Sequence, residues 1–334
     1  MVPSRREFLM AVSAAAVVSL PLIPSACAQG LEENIASLFQ NLPGDHAFEV
    51  FAPSIGGSPG FSAKSNADQR LFAASAIKTF ALCEALRQAD SPDITNRLEE
   101  KEIALDDSVW SLGSPIFNPP HVTGIVSERT ALEAMITRSD NTATDMIFKL
   151  AGADNIRQFI SSAGLQQTQV PDSTRSFSGY LFGAENYKTI TWAELLEAAQ
   201  GPMVNPFLNN VETLASSAHD LVSYYSQALQ GKFFQNSQTL NEFRRILTLC
   251  DFIYLVPLPL GVSAYAKSGN ADTSNFHVRS IAGGIFFSNR WVYFAFVINW
   301  YAESVDDPAT VDAFFSAIYQ SLTIVKTRLE AFHA

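Results

Sequence analysis

Ser75-Ala76-Ile77-Lys78 opens a stretch, Ser75 to Ala89, whose apolar spacing predicts a helix. On a helix, positions i and i+3 share a face, so the Lys78 amine can reach the Ser75 hydroxyl. A serine hydroxyl is a weak nucleophile until a base takes its proton. A lysine becomes that base when burial and nearby cations favour its neutral form. A helix N-terminus also offers free backbone N–H groups and a dipole that favour negative charge, which suits a developing oxyanion. With eight lysines in the chain, a chance S-x-x-K is about an even bet, so this motif needs companions.

Two companions follow in order. Ser139-Asp140-Asn141 comes after an apolar helical segment. A second serine can relay a proton between Lys78 and a leaving nitrogen, and the Asn141 amide can hold both the lysine and a substrate carbonyl. Lys267-Ser268-Gly269 lies on a predicted strand, Tyr265 to Ala271. Lys267 supplies positive charge for a substrate carboxylate and Ser268 a hydroxyl donor. Gly269 removes a side chain, so an extended substrate can lie along the strand edge.

This ordered set resembles that of class A β-lactamases and penicillin-binding proteins. The resemblance runs from about residue 35 to the C-terminus. It implies an α/β, β-lactamase/transpeptidase-like fold: an antiparallel sheet of about five strands with flanking helices, plus an all-helical lobe. It also implies roles: Ser75 nucleophile, Lys78 base, Ser139 proton shuttle, with Asn141 and Lys267 as substrate and network contacts. Backbone N–H groups of Ser75 and Asn270 would form the oxyanion hole. Trp110 falls where such enzymes often carry an aromatic at the cleft mouth. Arg279, on the strand after the third motif, would bind a substrate carboxylate.

One departure stands out. Class A enzymes carry a glutamate after the second motif, in a pattern like R-x-E-x-x-L-N, that activates the water releasing the acyl-enzyme. Here Val170-Pro171-Asp172-Ser173-Thr174-Arg175 occupies that stretch without a glutamate, and Thr174 or Arg175 falls at its place. Asp172, Glu185 and Glu194 are candidate substitutes, and no spacing selects one. The rim segment Gly113 to Val122 is also longer than usual. Three readings follow. The first is a β-lactamase-like hydrolase opening a β-lactam amide through a Ser75 acyl-enzyme, with slow or atypical release. The second is a D-alanyl-D-alanine carboxypeptidase or esterase that binds penicillin. The third is a non-catalytic binding protein.

The rest of the chain fits an exported enzyme. Ser4-Arg5-Arg6-Glu7-Phe8-Leu9 precedes an apolar stretch, Leu9 to Ile23, and resembles a twin-arginine signal, with cleavage expected after Ala28. That predicts a signal peptide over 1–28 and one catalytic domain over 29–334, periplasmic or secreted. Acylation at Cys27 is the rival reading. The net charge of −11 excludes a basic nucleic-acid surface. The expected partner is a small β-lactam or a peptidoglycan peptide bound by a monomer, with no stable membrane insertion after cleavage. No C-x-x-C pair or His/Cys cluster calls for a metal or other cofactor, and Cys83 and Cys250 read as buried thiols.

His46 to Pro53 reads as a strand, and about 93–245 as a helical lobe set between the two sheet-forming ends. Val278 to Phe287 and Trp291 to Trp300 read as a hairpin. A closing helix capped by Asp307, with Pro308 in its first turn, places Val311, Phe314, Phe315, Ile318, Leu322, Val325 and Leu329 on one face.

Overall fold

The computed structural model describes residues 26–251, 258–273 and 275–331. The targeting segment lies almost wholly outside them. The chain enters through α1 (Ala26–Ser37), the hairpin β1 (Asp45–Ala52) and β2 (Phe61–Ser65), and the short β3 (Leu71–Phe72). A 3₁₀ turn (Ala74–Ile77) leads into α2 (Lys78–Gln88) and α3 (Ile94–Glu100), then a small hairpin of β4 (Glu102–Leu105) and β5 (Gly124–Ser127). Next come α4 (Glu128–Thr137), α5 (Asn141–Ala151), α6 (Ala153–Ser162), α7 (Thr174–Leu181) and α8 (Trp192–Ala198). The chain then forms β6 (Ala215–Ser216), α9 (Ala218–Ala228), α10 (Ser237–Thr248), β7 (Ser263–Asp272), β8 (Phe276–Phe287), β9 (Arg290–Tyr301) and α11 (Pro308–Glu330).

Both chain ends build one antiparallel sheet of order β2-β1-β9-β8-β7, the architecture expected from the motifs. Strand β9 explains why. Its side chains alternate between two cores, and both faces are covered. Val292, Phe294, Phe296, Ile298 and Trp300 pack with Phe314, Ile318, Leu322 and Val325 of α11 and with Ile35 and Phe39. Tyr293, Ala295 and Val297 join the other core with Leu221, Tyr224 and Tyr225 of α9 and the apolar face of α2. A strand buried on both sides reads as a continuous apolar run, as Trp291 to Trp300 does. Helix α9, inside the span expected to be the helical lobe, lies on the sheet instead. Asp307 caps α11 through Thr310 N–H (3.3 Å) and accepts from Trp300 Nε1 (3.0 Å), tying that helix to the central strand.

Asn299 breaks the apolar run of β9 for a structural reason. Its side-chain amide accepts from Phe72 N–H and donates to Phe72 C=O, both at 2.9 Å. The clamp fixes β3, three residues before Ser75, against the sheet. Losing both bonds strands two buried backbone groups, so Asn299→Ala is expected to cost about 2–3 kcal/mol in urea denaturation. An unchanged midpoint would show that the clamp is not needed to seat β3.

Candidate active site

Ser75 lies on the 3₁₀ turn, not on the α-helix expected to begin there; α2 starts at Lys78, whose N–H bonds Ser75 C=O. Ala74, just before it, sits at φ +48°, a left-handed conformation that costs a non-glycine residue roughly 1–2 kcal/mol. Neighbours hold the turn. Ala73 N–H donates to Leu214 C=O (2.8 Å), and Ser280 Oγ donates to Ala73 C=O (2.6 Å). The sheet edge closes on it at Gly269. A Cβ there would stand 2.7 Å from both Ser75 N and Ser280 Oγ and would collide with Ala73 O. The missing side chain is what lets β7 approach the Ser75 backbone N–H, with Asn270 next along the strand.

Two buried lysines meet at Ser139. Lys78 Nζ donates to Ser139 C=O (2.6 Å), Asn141 Oδ1 (2.6 Å) and Ser139 Oγ (3.2 Å). Lys267 Nζ reaches the same Ser139 Oγ at 3.2 Å and Ser268 C=O at 2.8 Å. Burial, and then the Lys267 ammonium, hold the Lys78 amine well below the ordinary lysine value, against the opposing pull of Asp140 and Asp145. Burial also lowers Lys267. The pair therefore favours a neutral amine beside Ser139, which is what a base needs.

Asp140 builds this corner. Its Oδ1 caps α5 through Ala143 N–H (2.8 Å), and its Oδ2 accepts from Ile116 N–H (2.8 Å) and Phe117 N–H (2.9 Å). That ties the long rim segment to the second motif. Ser139 itself sits at φ +55°, a turn that lets its carbonyl and hydroxyl both face Lys78. Asn141 Nδ2 donates to Leu112 C=O (2.6 Å).

The structure thus brings together Ser75, Lys78, Ser139, Asn141, Lys267 and Gly269. The remaining candidates stand around them. Ser268 Oγ lies 3.8 Å from Cys250 Sγ; Cys250 and Cys83 are both buried free thiols, as expected. Arg279 is paired across the ladder with Asn270, so Ser268, Asn270 and Arg279 share the face opposite Lys267 and Gly269. Its guanidinium is held by Asp272 Oδ1 (2.9 Å) over the Trp300 ring. His277 packs on that same ring and also meets Asp272 (3.0 Å). Trp110 is half-buried and packs edge-on against Trp192 (6.1 Å between centroids), and its carbonyl accepts from Arg175 Nε (2.7 Å).

In the loop that lacks a glutamate, Thr174 is fixed by a hydrogen-bond network. Thr174 Oγ1 lies 2.8 Å from Asp145 Oδ1 and 2.8 Å from Ser111 Oγ. Asp145 also accepts from Thr174 N–H (2.6 Å) and Arg175 N–H (3.0 Å), fixing the first turn of α7. None of the three carboxylates weighed from sequence takes part. Asp172 pairs with Arg157 and Lys188, Glu194 folds back into a capping box with Thr191, and Glu185 is exposed. Sequence reasoning missed Asp145, although its place four residues after Asn141 puts it on the same helix face. Asn299 and Ser280, which position the Ser75 turn from distant strands, left no local signal.

Burial pushes the Asp145 carboxyl up to about 6, above the ~3.9 of an unfolded chain. The fold favours its neutral form. The stability this group contributes is full below about pH 4 and is lost as pH rises through about 6. Asp145→Asn should flatten that limb, so that wild type loses roughly 2 kcal/mol relative to the variant between about pH 4 and pH 7 in urea titrations. Parallel curves would refute the assignment.

The model of the β-lactamase enzyme family matches residues 30–320. The chain belongs to the β-lactamase enzyme family. Among solved structures, the family fold is shared with PBP-A, at TM-score 0.67 and 19% identity, over 90% of this chain and 96% of that one. A class A β-lactamase from Bacteroides cellulosilyticus DSM 14838 is similar at TM-score 0.63 and 18% identity, over 88% and 98% of the two chains. No curated protein matches this β-lactamase-family chain by sequence. Its fold is thus that of penicillin-recognising serine enzymes. Among the described residues, no helix is long and apolar enough to cross a membrane.

Proposed function

We propose that this protein is a serine acyl-transfer enzyme that opens β-lactam amides at Ser75 and releases the acyl group slowly. Lys78 takes the proton from Ser75 Oγ, and the serine oxygen attacks the carbonyl carbon. Backbone N–H groups of Ser75 and Asn270 receive the oxyanion. The C–N bond breaks as Ser139 passes a proton to the leaving nitrogen, and Lys267 holds the substrate carboxylate. Asn141 holds Lys78 and a substrate amide. The observation that carries this reading is Ser139 Oγ set 3.2 Å from each of two buried amines, which makes it a proton relay between base and leaving group.

Slow release rests on Thr174. Its hydroxyl is engaged with Asp145 and Ser111, and it is one of the two residues, with Arg175, at the place in the sequence where a water-activating glutamate is expected. The same feature favours a second reading, a D-alanyl-D-alanine carboxypeptidase or esterase trapped by penicillin. In support, a variant of PBP-A, 18% identical with TM-score 0.66, was solved as a penicillin G acyl-enzyme complex. Both substrate classes lie outside the cytoplasm, which fits export through the twin-arginine segment.

The test mixes purified protein with a chromogenic cephalosporin and follows colour and intact mass together. One burst with a lasting adduct on Ser75 supports slow release. Many turnovers with little adduct would make it an efficient β-lactamase, and no adduct with no colour would overturn β-lactam acylation.

A further inference from the structure

Glu128 is a carboxylate without a partner. It is the first residue of α4 and only 5% exposed, yet among the described residues its side chain makes no hydrogen bond or ion pair. Its oxygens are not fully enclosed; they open onto solvent, where a ligand can reach them. It lines a groove of about 530 Å³ formed by Ala85, Gln88 and Ala89 of α2, Leu150 and Ala151 of α5, and residues around α3. The groove lies at the end of α2 remote from Lys78, about 15 Å along the helix by its rise per residue, so it is separate from the Ser75 site.

We propose that this groove binds a small organic cation, a primary ammonium on a short alkyl stem. The ammonium pairs with Glu128 and the stem lies on the apolar wall of Ala85, Ala89, Leu150 and Ala151. The charges that act on Glu128 are Arg97 and Lys101, and Asp93 and Glu100 also line the groove, so its lining holds three carboxylates against two cations. Arg97 and Lys101 act on Glu128 through space without touching it, leaving room for the ligand head. A metal ion is a poor occupant: among the described residues no group of three or more His, Cys, Asp or Glu is arranged to hold one.

Burial raises Glu128 to about 7. A cation binds the ionised form, so affinity is full above that value and falls as pH drops through it. The probe is n-butylammonium chloride, titrated calorimetrically into the full chain with sodium chloride as the ionic-strength control. Saturable binding is expected at about pH 8, roughly tenfold weaker at about pH 6, and lost in Glu128→Gln. Ala89→Leu, which leaves the carboxylate in place but fills the groove, should also abolish it, and Ser75→Ala should leave it unchanged. No saturable binding at about pH 8, or equal binding by Glu128→Gln, would overturn the site.

Discussion

Lys78→Ala is expected to slow acylation of Ser75 by about a hundred- to ten-thousand-fold, the range for removal of a positioned general base. The wild-type amine is fully buried and held well below the ordinary lysine value of 10.5 by burial and by Lys267. It acts as a base only when neutral. Wild-type acylation should therefore rise with pH and level off well below 10.5, and that limb should vanish in the variant. Stopped-flow cephalosporin opening over a pH series gives both readouts. Ser75→Ala, by contrast, should show no adduct at any pH. Removing Lys78 also leaves Ser139 C=O and Asn141 Oδ1 without their donor, so near-UV circular dichroism must confirm that the corner is intact. Acylation by Lys78→Ala within about threefold of wild type would sink the assignment of the base, since a true base is worth far more.

Gly269→Ala is expected to lower acylation about a hundred- to a thousand-fold, the cost of spoiling one oxyanion donor. The added methyl meets the backbone of Ser75 and Ala73 and the Ser280 hydroxyl, none of which is the free end of a flexible chain. Either β7 retreats or the Ser75 turn shifts, and both separate the Ser75 and Asn270 N–H groups. Overpacking of this kind also costs about 1–3 kcal/mol of stability. The decisive readout is kinetic. A variant that loses stability but acylates at the wild-type rate would place the oxyanion donors elsewhere.

Much of the site was legible because its parts are local. Ser75 and Lys78 are three residues apart on one turn, Ser139 to Asn141 are consecutive, and Lys267 to Gly269 lie on one strand, so each motif carries its own geometry. The aromatic and β-branched character of Val278 to Phe287 and Trp291 to Trp300 announced the hairpin, and Asp307-Pro308 announced the start of α11. Other features were illegible because they depend on contacts far apart in sequence. Asp172, Glu185 and Glu194 looked equivalent in sequence, yet Asp172 is paired with Arg157 and Lys188, Glu194 with Thr191, and Glu185 is exposed, while Asp145 arrives from another helix. Whether Trp110 and Arg279 meet a free cleft was equally beyond local reading, because Trp192, Arg175, Asp272 and Trp300 hold them.

By itself, then, the sequence determined the order of the three motifs and the two-ended sheet, and it raised the expectation of a serine acylated beside a lysine, since these follow from residue type and short spacing. Only the tertiary structure decided that Lys78 and Lys267 converge on one hydroxyl, that Thr174 is closed off by Asp145, and that Asn299 and Ser280 hold the Ser75 turn. The physical reason is that burial and the low dielectric around a charge are properties of the packed chain, set by side chains that meet across up to about 230 positions of sequence.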